Sequence, residues 1–204
     1  RMPDVMSEDS SRVIGRDAQR NNILAAKLVA DIVKTTLGPK GMDKMLVDRD
    51  GNITVTNDGV TILEEIEIEH PAAKMMVEIA KTQEREVGDG TTTAVLLAGK
   101  LLERAEFLLD KKIHPTVIVK GYKEAAQRAS GILNELSIPL ETFDILKQIA
   151  KTAMTGKGPE DNKEILSSLI IDAVNQIAKG NDANIDDVKI EKVYGNSVSK
   201  SEIV

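Results

Sequence analysis

The stretch Gly88-Asp89-Gly90-Thr91-Thr92-Thr93 runs directly into the apolar sequence Ala94-Val95-Leu96-Leu97-Ala98. A carboxylate between two glycines, then three hydroxyl residues, offers a core little and an anion a great deal. Glycine tolerates positive φ and lets backbone N–H groups approach a ligand closely. The threonines fall where the first turn of a helix presents N–H groups without intrahelical partners. A carboxylate among phosphate ligands repels them unless a divalent cation lies between. The segment therefore has two readings. One is an Asp/Thr helix cap; the other is a grip for a nucleotide phosphate and magnesium. In both, one helical region ends here and another begins.

The residues available for a core are aliphatic. The hydrophobic fraction is 41% of 204 residues, while only 2% is aromatic and no Trp is present. Ala, Val, Leu, Ile and Met suit helix packing, and the length allows one large domain or a domain with part of another. With no cysteine in the sequence, disulfides and thiolate metal sites are excluded. A net charge of −6 argues against a nucleic-acid partner, whose binding proteins carry a basic face. No apolar run reaches the ~18 residues that a membrane span needs. The polar, acid-bearing start from Arg1 to Ser11 does not read as a signal peptide. The expected protein is soluble and cytoplasmic.

Residues 1–13 read as a loose arm. A helical pattern opens at Gly15-Arg16-Asp17, with Asp17 as the expected N-cap, and Gly38-Pro39 stops it. Met45-Leu46-Val47 and Ile53-Thr54-Val55-Thr56, with Asp50-Gly51 between them, predict a β-hairpin. Helices are predicted from Val60 to about Ile66, from His70-Pro71 to Val87-Gly88, over Thr91–Lys112, and from His114-Pro115 to about Leu136. After a break at Ile138-Pro139, helical patterns resume over about Glu141–Met154 and Glu160–Lys179. Gly180–Asp187 reads as a polar loop, and the alternating Val188–Val193 as a strand. The fold class is mainly α with a small β-hairpin.

Four glycine-bearing loops carry the candidate chemistry: Thr36-Leu37-Gly38-Pro39-Lys40-Gly41, Asn57-Asp58-Gly59, Gly88–Thr93 and Thr155-Gly156-Lys157-Gly158. No G-x-x-x-x-G-K-[ST] occurs, and Gly88-Asp89-Gly90 is followed by Thr93 where G-x-G-x-x-G needs its third glycine. The usual P-loop and Rossmann readings lose ground. Asp58 and Asp89 each lie in a Gly-flanked turn before a helix. One could hold Mg²⁺ while the other orients a water toward a γ-phosphate; each also fits an Asx turn or N-cap. Lys157, between glycines, can approach an anion closely or stand as a solvated loop lysine. His70 and His114 precede proline and suit caps or turns. Met42, Met45, Met75 and Met76 suit core or subunit contact.

Taken together, Thr36–Leu46, Thr56–Ile62, His70–Lys74 and Val87–Ala94 occur in the order and spacing of the group II chaperonins. The chain resembles that family, which includes archaeal thermosome subunits and the eukaryotic cytosolic chaperonin, from about Val13 onward. The resemblance implies an equatorial-domain helical fold plus part of an intermediate domain. Residues 1–141 would be the ATP-binding equatorial segment and 142–204 the ascending intermediate segment. It implies ATP/ADP and Mg²⁺ as cofactors and ATP hydrolysis coupled to protein folding. Other chaperonin subunits would be partners in a homo- or hetero-oligomeric double ring, and unfolded proteins the substrates. Nucleic acid and membrane are not implied.

Residue by residue, Thr36, Leu37, Gly38 and Pro39 resemble the family's nucleotide-contacting loop. Asn57, Asp58 and Gly59 match the loop facing the γ-phosphate, where the aspartate positions the attacking water. Asp89 matches the magnesium ligand, and Gly90, Thr91, Thr92 and Thr93 match the phosphate grip. Lys157 resembles the lysine that senses the γ-phosphate from the intermediate domain. The Met45–Thr56 hairpin resembles the stem-loop that pairs with a neighbour. Family subunits are well over twice this length, so the substrate-binding apical domain and the returning segments are expected to be absent from this chain. The alternatives are a non-catalytic interaction fragment and, without the resemblance, a small-molecule phosphotransferase.

Overall fold

The computed structural model describes residues 15–38, 40–140, 142–180, 182–195 and 197–204. The expected arm at the start, and Pro39 of the candidate nucleotide loop, lie outside the described residues. Among the described residues are seven α-helices and one antiparallel hairpin. They divide into two compact units. One runs through Leu37 and over Gly41–Gln127; the other comprises Gly38–Lys40 and Arg128–Val204.

The first unit is built on α1 (Arg16–Lys34), β1 (Lys44–Val47), β2 (Ile53–Thr56), α2 (Gly59–Glu65), α3 (Pro71–Val87) and α4 (Thr91–Asp110). Ala26, Val29, Ala30 and Val33 recur at three- and four-residue spacing and form the buried stripe of α1. They meet Ile62 and Leu63 of α2, Met76 and Ala80 of α3, and Val95 of α4. Each full burial of a Val, Leu, Ile or Met contributes about 1.5–3 kcal/mol, and this cluster is the apolar reason the four helices stay together. Pro71 sits at the first position of α3, where its missing N–H costs nothing, and His70 Nδ1 accepts the Ala72 N–H at 3.2 Å.

The hairpin pairs Lys44 with Thr56, Met45 with Val55, Leu46 with Thr54 and Val47 with Ile53. Asp48 organises its turn by accepting from the Asp50 and Asn52 N–H groups. Leu46 packs on the core, whereas Met45, Val47, Ile53 and Val55 are exposed. Of the four methionines singled out, only Met76 is buried; Met42, Met45 and Met75 are exposed.

α1 and α4 run antiparallel. Arg20 bonds Asp110, Lys27 bonds Glu106, and Ala30 lies against Gly99. This pairing brings the C-terminal end of α1, with Thr36 just beyond it, to the same end of the bundle as the N-terminus of α4. α3 reaches that end too, since a three-residue turn joins it to α4. α5 (Pro115–Leu136) leaves the first unit and continues into the second.

The second unit holds α6 (Phe143–Met154) and α7 (Lys163–Ile177), clamped by an ion pair of Lys151 with Glu164 at 2.5 Å and by buried Met154 and Ser167. Three expectations need correction. Gly15, at φ 73°, is the N-cap of α1, and Asp17 lies in the first turn, where its charge still favours the helix dipole. The helix expected over Glu160–Lys179 begins as a 3-10 turn at Glu160–Asn162, and α7 ends at Ile177. No strand forms at 188–193, where Ile190 and Val193 are exposed. Alternation alone does not make a strand: the ladder needs a partner, and among the described residues none is paired there. Among the described residues, no helix is long and apolar enough to cross a membrane.

Candidate functional site

The segment Gly88-Asp89-Gly90 turns α3 into α4 through two left-handed glycines, at φ 72° and 80°. Gly88 closes α3 with its N–H on the Glu84 carbonyl, and Gly90 is the N-cap residue of α4. An L side chain at either position is strained, so the sequence needs glycine twice to present Asp89 between two helix ends. Gly90 has no side chain with which to cap α4. Its first turn, whose N–H groups have no intrahelical partner, lies at the positive end of a 20-residue helix. Thr91 and Thr92 are buried there, and Thr93 is exposed.

The N-terminus of α2 meets the same place. A Cβ on Gly59 would stand 2.7 Å from Thr92 Oγ1, 3.2 Å from the Thr92 nitrogen and 3.3 Å from Thr91 Oγ1. Gly59 is thus required by close approach, and it brings two helix N-termini together. Asp58 caps α2. Its Oδ2 accepts from both the Thr61 N–H and the Thr61 hydroxyl at 2.9 Å. The cap reading of Asp58 is therefore correct. It is compatible with a second role, because both bonds fall on one carboxylate oxygen. Asn57 precedes it, half-buried, at the end of the hairpin. Thr36 is buried just past α1, its hydroxyl donating to the Val33 carbonyl at 2.7 Å; Leu37 is exposed and Gly38 has φ 86°.

Lys157 belongs to the second unit, in the turn between α6 and the 3-10 segment. Gly156, at φ 75°, donates its N–H to Glu160 Oε2 at 2.8 Å, and the Lys157 carbonyl accepts from the Glu160 N–H at 3.0 Å. The Gly156 N–H, and then Lys163, hold the Glu160 carboxyl below the ordinary glutamate range. The lysine is exposed.

The first unit thus gathers Asp58, Gly59, Gly90, Thr91 and Thr92 at one end of a helical bundle, with Asp89 in the turn that opens α4. Helix-start N–H groups, a glycine cradle that a Cβ would fill and a carboxylate in the adjoining turn fit an anion carrying a divalent cation. No group of three His, Cys, Asp or Glu residues suited to a metal occurs among the described residues. That donor set suits magnesium held by one carboxylate and the phosphates themselves. Two residues of the site escaped the sequence reading. Thr61 had a signal, a hydroxyl three residues after a capping aspartate. Gln83, whose Nε2 donates to the Asp89 carbonyl at 2.8 Å, had none, since its spacing of six matches no helical rule.

A model of the TCP-1/cpn60 chaperonin family matches residues 29–204, a span that includes every candidate site residue. Thermosome subunit beta of Methanothermobacter thermautotrophicus is 58% identical over 200 residues, covering 98% of this chain and 37% of that protein. Thermosome subunit beta of Archaeoglobus fulgidus is 56% identical over 206 residues, covering 98% of this chain and 38% of that protein. Thermosome subunit alpha of Methanothermobacter thermautotrophicus is 56% identical over 200 residues, covering 98% and 37% respectively. The chain spans well under half the length of these curated relatives. The resemblance carried by its four motifs holds, and the chain belongs to the TCP-1/cpn60 chaperonin family.

Proposed function

We propose that this chain supplies one wall of a magnesium–ATP site, and that ATP hydrolysis there drives closure of a chaperonin ring around non-native protein. The observation that supports the reading best is the approach of Gly59 to Thr92, which brings the Asp58 cap and the start of α4 to one place. The N–H groups and hydroxyls of Gly90, Thr91, Thr92 and Thr93 bind the phosphates. Asp89 would hold Mg²⁺, which when bound would neutralise charge on the phosphates. Asp58 is the catalytic carboxylate: Thr61 anchors Oδ2, and Oδ1 orients the water. Asn57 and Gly59 line the γ-phosphate side, and Thr36, Leu37, Gly38 and Pro39 contact the nucleotide. Lys157, on the stiffened turn of the second unit, senses the γ-phosphate and passes its state on as a hinge motion.

On this reading residues 1–141 are equatorial and 142–204 intermediate, and the protein works in the cytoplasm. Its partners are chaperonin subunits and unfolded proteins, not nucleic acid or membrane. A second reading, a non-catalytic interaction fragment, draws support from the hairpin. Its Met45–Val55 and Val47–Ile53 pairs present one apolar face, each residue 59–68% exposed.

The test combines native mass with ATP binding and turnover, for the natural protein and Asp89→Ala. A ring that binds ATP more tightly with magnesium and hydrolyses it only with the metal, with both effects lost in Asp89→Ala, is expected. Magnesium-independent or absent ATP binding by the natural protein would favour the interaction reading. A ring in which Asp89→Ala turns over unchanged would remove the metal assignment alone.

A further inference from the structure

Asp89 sits on a backbone with little stiffness of its own, because both neighbours are left-handed glycines. A ligand carboxylate in such a turn is useful only if something sets the adjoining peptides. Gln83 does so from the last turns of α3. Its Nε2 donates to the Asp89 carbonyl at 2.8 Å and rests against Gly90, where an added Cβ would come within 3.3 Å of the same nitrogen. The side chain is half-buried, so this bond exchanges with water less freely than a surface one.

The bonded carbonyl belongs to the peptide that joins Asp89 to Gly90. Fixing that oxygen fixes the plane of the peptide, and with it the Gly90 N–H on its far side. It also limits rotation at the Asp89 Cα, and so the position from which the carboxylate projects. One amide therefore sets both halves of the grip, the acidic ligand and the first N–H donor.

The geometry points to Gln83 as the positioning residue for the Asp89 carboxylate, a role that rests on the magnesium–nucleotide reading above. Gln83 acts through the Asp89–Gly90 peptide, to which its Nε2 donates. Partners that orient a metal ligand typically contribute 10–100-fold in metal affinity.

The test measures ADP binding by titration calorimetry in the natural full-length protein, at a series of free Mg²⁺ concentrations and in EDTA. Three forms are compared: wild type, Gln83→Glu and Gln83→Met. Glu keeps the shape but sets an acceptor against a carbonyl; Met keeps the volume and has no donor. Both variants should need about tenfold more Mg²⁺ for half-saturation, while ADP affinity in EDTA stays within about twofold and the melting temperature is held. Unchanged Mg²⁺ dependence in both variants overturns the positioning role and leaves the site reading intact. So does an equal loss of affinity with and without Mg²⁺, since that is the mark of a merely structural glutamine. A wild type that binds ADP without regard to Mg²⁺ removes the site reading and this role together.

Discussion

Gly99→Ala should loosen the helix pair on which the site is built, although it replaces a mid-helix glycine by the best helix former. Gly99 is buried in α4, and a Cβ there would stand 2.4 Å from Ala30 Cβ on α1. Carbon atoms prefer about 3.5–4.0 Å, so the two helices must part by roughly 1.1–1.6 Å at this level. Neither Cβ can rotate away, as each is fixed by its own backbone, and Ala30 is only 5% exposed. Overpacking of this kind costs about 1–3 kcal/mol. Helix propensity offsets about 0.8–1.0 kcal/mol of it. With both contact atoms rigid the upper half of the packing range applies, so the net loss is about 1–2 kcal/mol.

The chain has two units, so one global unfolding energy is not well defined and a local measurement is better. Hydrogen exchange at the interior amides of α1 and α4 reports opening of this pair directly. Protection should fall in Gly99→Ala and return in Gly99→Ala combined with Ala30→Gly, a coupling of more than about 1 kcal/mol. If Gly99→Ala instead raises protection by the propensity gain, and the two changes add within about 0.5 kcal/mol, the close crossing of α1 and α4 is wrong.

Two further perturbations separate roles that share a residue or a loop. Asp58→Asn keeps the cap, because asparagine accepts from Thr61 as well as aspartate does, so melting should hold while ATP turnover falls by about 10²–10⁴; Asp58→Ala should also lose about 1 kcal/mol of stability, and wild-type turnover in Asp58→Asn would leave Asp58 a cap alone. The depressed carboxyl of Glu160 contributes stability that is present above its unfolded value and is lost as pH falls through the folded one. The Gly156 amide shift in an NMR titration should therefore move with a midpoint below the ordinary 4.5, and a midpoint at or above 4.5 would mean that the Gly156–Glu160 bond does not hold the Lys157 turn in solution.

Much of the fold is local and was therefore legible. Pro71 could only begin a helix, Gly88 suits only a left-handed end, and Asp50-Gly51 between β-prone runs makes a hairpin. These features depend on residues a few positions apart, where sterics and capping decide the outcome. Where a partner far along the chain was needed, local reading failed. Val188–Val193 alternates like a strand, yet an unpaired strand is only an extended segment, and pairing is not written in the alternation. The candidate site divides in the same way. Its residue types and turns were visible, and four motifs in order sufficed for the family. Gln83 was invisible, because a bond from a helix to the turn beyond it follows no periodicity.

Glycine and hydroxyl placement alone requires one helix to end and another to begin at Gly88–Thr91, with two glycines holding a carboxylate between them. It left open whether that turn is a cap or a grip, and why a helix as regular as α4 carries a glycine at position 99. Packing between distant segments bears on the first and answers the second. Gly59 brings a second helix start against Thr92, so two helix N-termini share one cradle. Gly99 is where α1 crosses too closely to admit a methyl group. Both close approaches join segments 30 to 70 residues apart, at distances that packing sets and local propensity does not.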